Sequence, residues 1–166
     1  MAVKDLATDD GTATVVIEDR GALIDHLNSD LAGELQAIIM YLQYSAMLRG
    51  LHRRELRGLF QSELPDEQRH ARLLADKIAV LGGTPATIPR PVPRAVSAYQ
   101  MLRNIYEAEA RAVADYTDRA IEAASHGEIG LKVDLEGMLA DETRHRDEVE
   151  QILSGWNQPI FETRST

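Results

Sequence analysis

Eight residues in the first half of this 166-residue chain recur in the second half at one fixed offset. Leu27, Glu34, Ala37, Tyr41, Asp66, Glu67, Arg69 and His70 are matched by Leu102, Glu109, Ala112, Tyr116, Asp141, Glu142, Arg144 and His145, each 75 positions later. In both halves the first glutamate precedes the second by 33 residues, and no gap is needed to hold the register. One such pair arises easily by chance. Two glutamates, a tyrosine and a histidine at a single offset do not. The repeat implies two similar units packed about a pseudo-twofold axis.

Each unit reads as a helical hairpin. Leu27, Leu31, Glu34, Ile38, Tyr41 and Ser45 alternate spacings of four and three, which places them on one face of a helix over about 22–49. Gly50 stops it, and a second helix follows over about 52–81, ended by Gly82-Gly83. So short a connection makes the two helices antiparallel. In the second half, Ser97 and Gln100 form a capping box for a helix reaching about 125, where His126-Gly127 ends it. A fourth helix runs over about 128–153 and is closed by Gly155. Its inner face reads Leu131, Leu135, Met138, Glu142, His145, Val149, Ile152, with two polar residues in an apolar stripe.

The link between the halves is of another kind. Gly82 to Val96 carries Pro85, Pro89, Pro91 and Pro93, which exclude a helix and favour an extended chain. Fifteen such residues reach about 46 Å, and a thirty-residue helix is about 45 Å long. The link is therefore long enough to cross the whole bundle.

Ala, Leu, Glu and Arg, all good helix formers, dominate a composition that is 44% hydrophobic. The fold class expected is all-α, with one domain over 21–155, an N-terminal extension over 1–20 and a C-terminal tail over 156–166. There is no cysteine, which excludes disulfides and thiolate zinc sites. The net charge of -9 argues against nucleic-acid binding, which needs a positive field. The basic group Arg49, His52, Arg53, Arg54 and Arg57 reads as a solvated helix turn or a subunit contact rather than a phosphate site. The apolar run Ala37 to Leu42 is too short to span a bilayer. The first residues lack the basic start and apolar stretch of a secretion signal, so a cytoplasmic protein is expected.

Glu67 and His70 lie three apart, on one side of a helix, and so do Glu142 and His145. Their neighbours are apolar, as are those of Glu34 and Glu109. Charges on a core stripe are costly unless neutralised. Two divalent cations would cancel four carboxylates, with two neutral imidazoles completing the ligand set, and oxygen and nitrogen donors without thiolate suit iron or manganese. The competing reading is a buried ion-pair network with Arg69 and Arg144, but one position before a histidine each should point about 100° away from it. Tyr41 and Tyr116 follow their glutamates by seven residues on the same face, either as core packing or as hydrogen-bond or redox partners of a metal. Glu107 competes with Glu109, and the repeat selects Glu109. His26, His52 and His126 stand outside the pattern and read as surface or helix-end residues.

With Glu34-x-x-Ala37-x-x-x-Tyr41, Asp66-Glu67-x-x-His70, Glu109-x-x-Ala112-x-x-x-Tyr116 and Asp141-Glu142-x-x-His145, the chain resembles the ferritin-like di-iron carboxylate proteins, most closely the bacterioferritin and bacterioferritin-like (Dps-like) branch. The match runs over about 23–153. The resemblance implies a four-helix bundle of two hairpins joined by a long crossover. It implies that Glu67 and Glu142 bridge two metals, with Glu34 and His70 completing one site and Glu109 and His145 the other. It further implies a ferroxidase that oxidises Fe(II) with O2 or H2O2, for iron storage or detoxification in a homo-oligomeric shell. The alternative is a non-storage di-iron or Mn/Fe oxidase or peroxidase of rubrerythrin-like type, although a rubredoxin-type site would need cysteines. Bacterioferritins bind haem through a methionine where this chain has Gln68, so haem is not expected there. Their fifth helix is replaced by a tail containing Pro159, which leaves a 24-subunit cage, a 12-subunit shell and a dimer all open. Pro65, two residues before Glu67, is expected to kink or bulge its helix.

Overall fold

The structure is a computed structural model and describes residues 20–156. The expected extension and tail fall almost wholly outside the described residues. Four helices make up the fold: α1 (Arg20–Met47), α2 (Arg53–Val80), α3 (Ala98–Ser125) and α4 (Ile129–Gly155). Each expected helix is present, with ends within two residues of those read from the periodicity. α1 packs on α2 and α3 on α4 as antiparallel hairpins, and the hairpins meet chiefly through α1 and α3, while α2 and α4 approach at few points.

The helix ends follow local chemistry. Gly50, Gly82 and Gly127 have φ of 84°, 88° and 74°, the left-handed conformation that reverses the chain after α1, α2 and α3. Gly155 does not act this way: α4 runs through it to a cap at Trp156. At α3, Ser97 is extended and its Oγ accepts from the Gln100 backbone N–H at 3.2 Å. The Gln100 side chain reaches one residue further back than in a capping box, accepting from the Val96 N–H at 3.0 Å.

No bulge forms at Pro65, and α2 continues as α-helix on both sides of it. Pro65 and Gln61, whose carbonyl would have accepted the missing N–H, are both exposed, so water can take the bond.

The proline-rich link crosses the bundle along the α1–α3 groove. Ala86 N–H donates to Asn28 Oδ1 (2.7 Å), Arg90 N–H to the Ala32 carbonyl (2.8 Å), and the Gln36 side chain to the Pro91 carbonyl. Gly83, where the link leaves α2, touches α1 so closely that a Cβ there would sit 2.6 Å from Ile24.

Two apolar clusters fill the interior. One gathers Leu27, Leu74, Ala123 and Leu135, and the other Tyr44, Phe60, Leu102 and Ile105. A layer of charged side chains lies between them.

Candidate metal centre

That layer is built from all four helices. Glu34 on α1, Glu67 and His70 on α2, Glu109 on α3, and Glu142 and His145 on α4 are each at most 8% exposed. Donor atoms from Glu34, Glu67, His70 and Glu142 lie within 4.8 Å of one another, and so do those from Glu67, Glu109, Glu142 and His145. Glu67 and Glu142 belong to both groups. His70 Nδ1 is 2.7 Å from Glu142 and 3.7 Å from Glu34. His145 Nδ1 is 3.6 Å from Glu67 and 3.7 Å from Glu142. The six sequence-derived candidates are thus brought together, while Glu107 is exposed and pairs with Arg103.

Polar atoms buried without a hydrogen bond test whether this layer suits a metal. Among the described residues they are Glu34 Oε2, Glu67 Oε1, His70 Nδ1, both oxygens of Glu142, His145 Nδ1 and Asp30 Oδ1. All but the last belong to the candidate layer. Buried polar atoms are normally paired, so six orphans concentrated on five convergent ligand-type side chains fit a pair of cations. The arginine network is not what neutralises them. Arg69 and Arg144 pair with Asp141, at 2.6 Å for Arg69, and both side chains are more than half exposed.

The remaining contacts orient these donors. Tyr41 donates to Glu109 Oε1 at 2.5 Å, and Tyr116 donates to Glu34 Oε1. Each tyrosine fixes one oxygen, and in Glu34 the other turns into the layer. The outer His70 Nε2 lies 3.3 Å from Asp141 Oδ2, and the outer His145 Nε2 lies 2.7 Å from Glu63, with Asp66 at 3.8 Å. A carboxylate on the outer nitrogen fixes the ring and raises its basicity.

Charge within the layer is uneven. Burial, then the charge of Glu142, pushes the Glu67 carboxyl well up, and burial, then Glu67, does the same to Glu109. Burial opposes ionisation of Glu142 too, but the adjoining Glu109 carboxyl and the His145 and His70 imidazoles outweigh it and hold its carboxyl low. Burial likewise disfavours a charged His70, yet the nearby carboxylates of Glu142 and Glu34 raise it to about 10. His145 is raised in the same way by Glu142, Glu63 and Glu67, against burial. Burial first, then the carboxylate each one faces, pushes both tyrosines well up.

A cavity of about 20 Å³ reaches Glu34, Glu67, Glu109 and Glu142 from the α1–α3 groove. That volume holds about one water. It is lined at the seam by Gly33, Ala37, Ala108 and Ala112.

Sequence reasoning missed Asp30, Arg119 and Glu63. Asp30 is buried on Arg119 at 2.8 Å, one turn before Glu34. The 75-residue offset pairs these three with Ile105, Tyr44 and Met138, so the repeat carried no signal for them. Their spacing of four from Glu34 (Asp30) and from Glu67 (Glu63) was the available clue.

Four carboxylates and two imidazoles converging at the centre of a four-helix bundle define a candidate dinuclear metal protein. The chain belongs to the ferritin-like domain family, which matches residues 24–158. A bacterioferritin from Streptomyces coelicolor is 33% identical over 135 residues, 79% of either chain. Among solved structures, a ferritin-like, diiron-carboxylate protein from Bacillus anthracis str. Ames is 44% identical, with a TM-score of 0.80 over 81% of this chain and 97% of that one. The dodecameric thioferritin of Bacteroides fragilis, a bacterioferritin-related protein, is 25% identical with a TM-score of 0.72, over 82% of this chain and 87% of that one.

Proposed function

We propose that the chain is a di-iron ferroxidase, oxidising Fe(II) with O2 or H2O2. The observation that carries this reading is the pair of four-residue donor groups sharing Glu67 and Glu142. Glu34 and His70 would hold one metal and Glu109 and His145 the other, with Glu67 and Glu142 common to both. When bound, two Fe(II) supply one electron each, enough to take O2 to H2O2 or H2O2 to water. Tyr41 and Tyr116 keep the terminal glutamates aimed inward, and Asp141 and Glu63 hold the imidazoles with Nδ1 toward the layer. Manganese suits the same donors.

The small cavity supports this reading over an oxidase acting on an organic substrate, because it admits water-sized species and little more. Likeness to a dodecameric relative supports a homo-oligomeric shell that stores or detoxifies iron. No helix among the described residues is long and apolar enough to cross a membrane, in keeping with function in the cytoplasm. Aerobic addition of Fe(II) should produce ferric absorbance that Glu67→Ala abolishes, and an unchanged rate in that variant would remove the proposal. Iron beyond two per chain, co-eluting with a large soluble particle, would establish storage.

A further inference from the structure

The cavity that reaches the carboxylates is also lined by Arg90 and Asp115, whose side chains are part-exposed where its glutamates are buried. Arg90 lies midway along the crossover. Its Nη2 donates to Ser29 Oγ on α1 and to Asp115 Oδ2 on α3, both at 2.9 Å, so the guanidinium spans the seam. Gly33 makes room for it: a Cβ at that position would stand 3.3 Å from Nη1. Within the same cavity Asp30 is 3% exposed, and its Oδ1 has no hydrogen-bond partner although Oδ2 accepts from Arg119. Asp30 is one turn from Glu34 on α1. None of this is symmetric, since the 75-residue offset pairs Asp30 with Ile105 and Asp115 with Met40.

The crossover does not need the Arg90 side chain to stay in place. The backbone bond to Ala32, together with those linking Asn28 to Ala86 and Gln36 to Pro91, already holds it. What the side chain adds is a positive charge across the mouth of a passage lined with carboxylates.

We propose that Arg90 gates the passage: paired with Asp115 it closes the α1–α3 seam to cations, and when it swings away Asp115 and then Asp30 receive the incoming divalent ion ahead of Glu34. This rests on the di-metal reading above. A guanidinium at the mouth repels a dication and occupies the first carboxylate that would attract it. A partly exposed ion pair of this kind is weak, so it opens readily.

Anaerobic stopped-flow mixing of the metal-free full chain with Co(II) tests the gate without any turnover. Arg90→Gln and Arg90→Ala should load Co(II) faster, by about tenfold at low ionic strength, and reach the same final Co(II) per chain. Arg90→Lys should load at nearly the wild-type rate, and Asp115→Asn more slowly. Added salt should shrink these differences. Equal loading rates in Arg90→Gln, Asp115→Asn and wild type would overturn the gate, and a lowered melting temperature with an unchanged rate would reduce Arg90 to a pin for the crossover. A wild-type chain that takes up no Co(II) would instead overturn the di-metal reading itself.

Discussion

Tyr41 on α1 donates its hydroxyl to Glu109 on α3, at 2.5 Å, rather than to the glutamate on its own helix. The pseudo-twofold mate makes the same exchange, from Tyr116 on α3 to Glu34 on α1. Seven residues along a helix is two turns, or about 10.5 Å, too far for a tyrosine to reach its own glutamate. The bond therefore crosses to the other hairpin and ties the two repeats together at the candidate metal layer.

Tyr41→Phe should leave the fold intact and destabilise it by about 1–3 kcal/mol, because a buried carboxyl loses its donor. In an anaerobic Co(II) titration it should weaken the equivalent held by Glu109 and His145, and Tyr116→Phe the one held by Glu34 and His70. Equal weakening of both equivalents in either variant would contradict the assignment.

Shared and unshared glutamates should differ in stoichiometry. Glu142→Ala removes a donor common to both groups and should abolish tight binding of both metals, whereas Glu34→Ala should spare one. Equilibrium dialysis with Co(II) reads the difference directly. Two metals retained by Glu142→Ala would count against bridging.

Asp141 carries more of the support for the imidazoles than its repeat mate Asp66. Burial works against its charge, but hydrogen bonds from Arg69, Arg144 and His70 outweigh it and pull it down to about 2. Asp141→Asn should weaken metal binding about tenfold or more. Asp66→Asn should do little, because Glu63 stands closer to His145. Equal losses in the two variants would show that the asymmetry has no energetic weight.

Metal should stabilise the chain more as pH rises. In the metal-free fold His70 titrates near 10, against 6.5 in the unfolded chain. Its contribution is complete below 6.5 and is lost as pH climbs through about 10. Glu67 and Glu109 are also raised, so above 4.5 the folded form binds more protons than the unfolded one, again losing stability with rising pH. Glu142, held low, works the other way, but its contribution is present above 4.5 and fades only under acid. Metals displace these protons. The melting-temperature rise on adding Co(II) should therefore be larger near pH 8 than near pH 6, roughly following the protons released. Equal increments would mean the layer is already deprotonated.

Much of this site was legible because the repeat and the helical period report the same thing. A charged residue in an apolar stripe is conspicuous once, and its recurrence at Glu109 and Glu142 identifies the face. What the repeat conceals is whatever breaks it. Asp30, Glu63 and Arg119 face apolar or aromatic counterparts at the matching positions, and Arg90 sits in a link with no counterpart at all. At Pro65 the bulge does not form for a different reason: its cost depends on whether the released carbonyl meets water, and only the fold decides that. Gly155 resembles the other stops in sequence, but it is itself the last residue of α4, capped at Trp156, and takes no left-handed turn.

The charged layer between two apolar clusters has a consequence for how the chain folds and comes apart. Each hairpin closes through local contacts, while bringing α1 against α3 requires the long link to be laid down and four carboxyl groups to leave water. Local contacts form fast and distant ones late. Contacts made after the rate-limiting step act on unfolding rather than folding. Bound metal should then lengthen the lifetime of the native chain while leaving its refolding rate nearly untouched, a division that stopped-flow refolding and unfolding with and without Co(II) would expose. Two cations held in that layer would serve as a kinetic clasp, fastened last and released first.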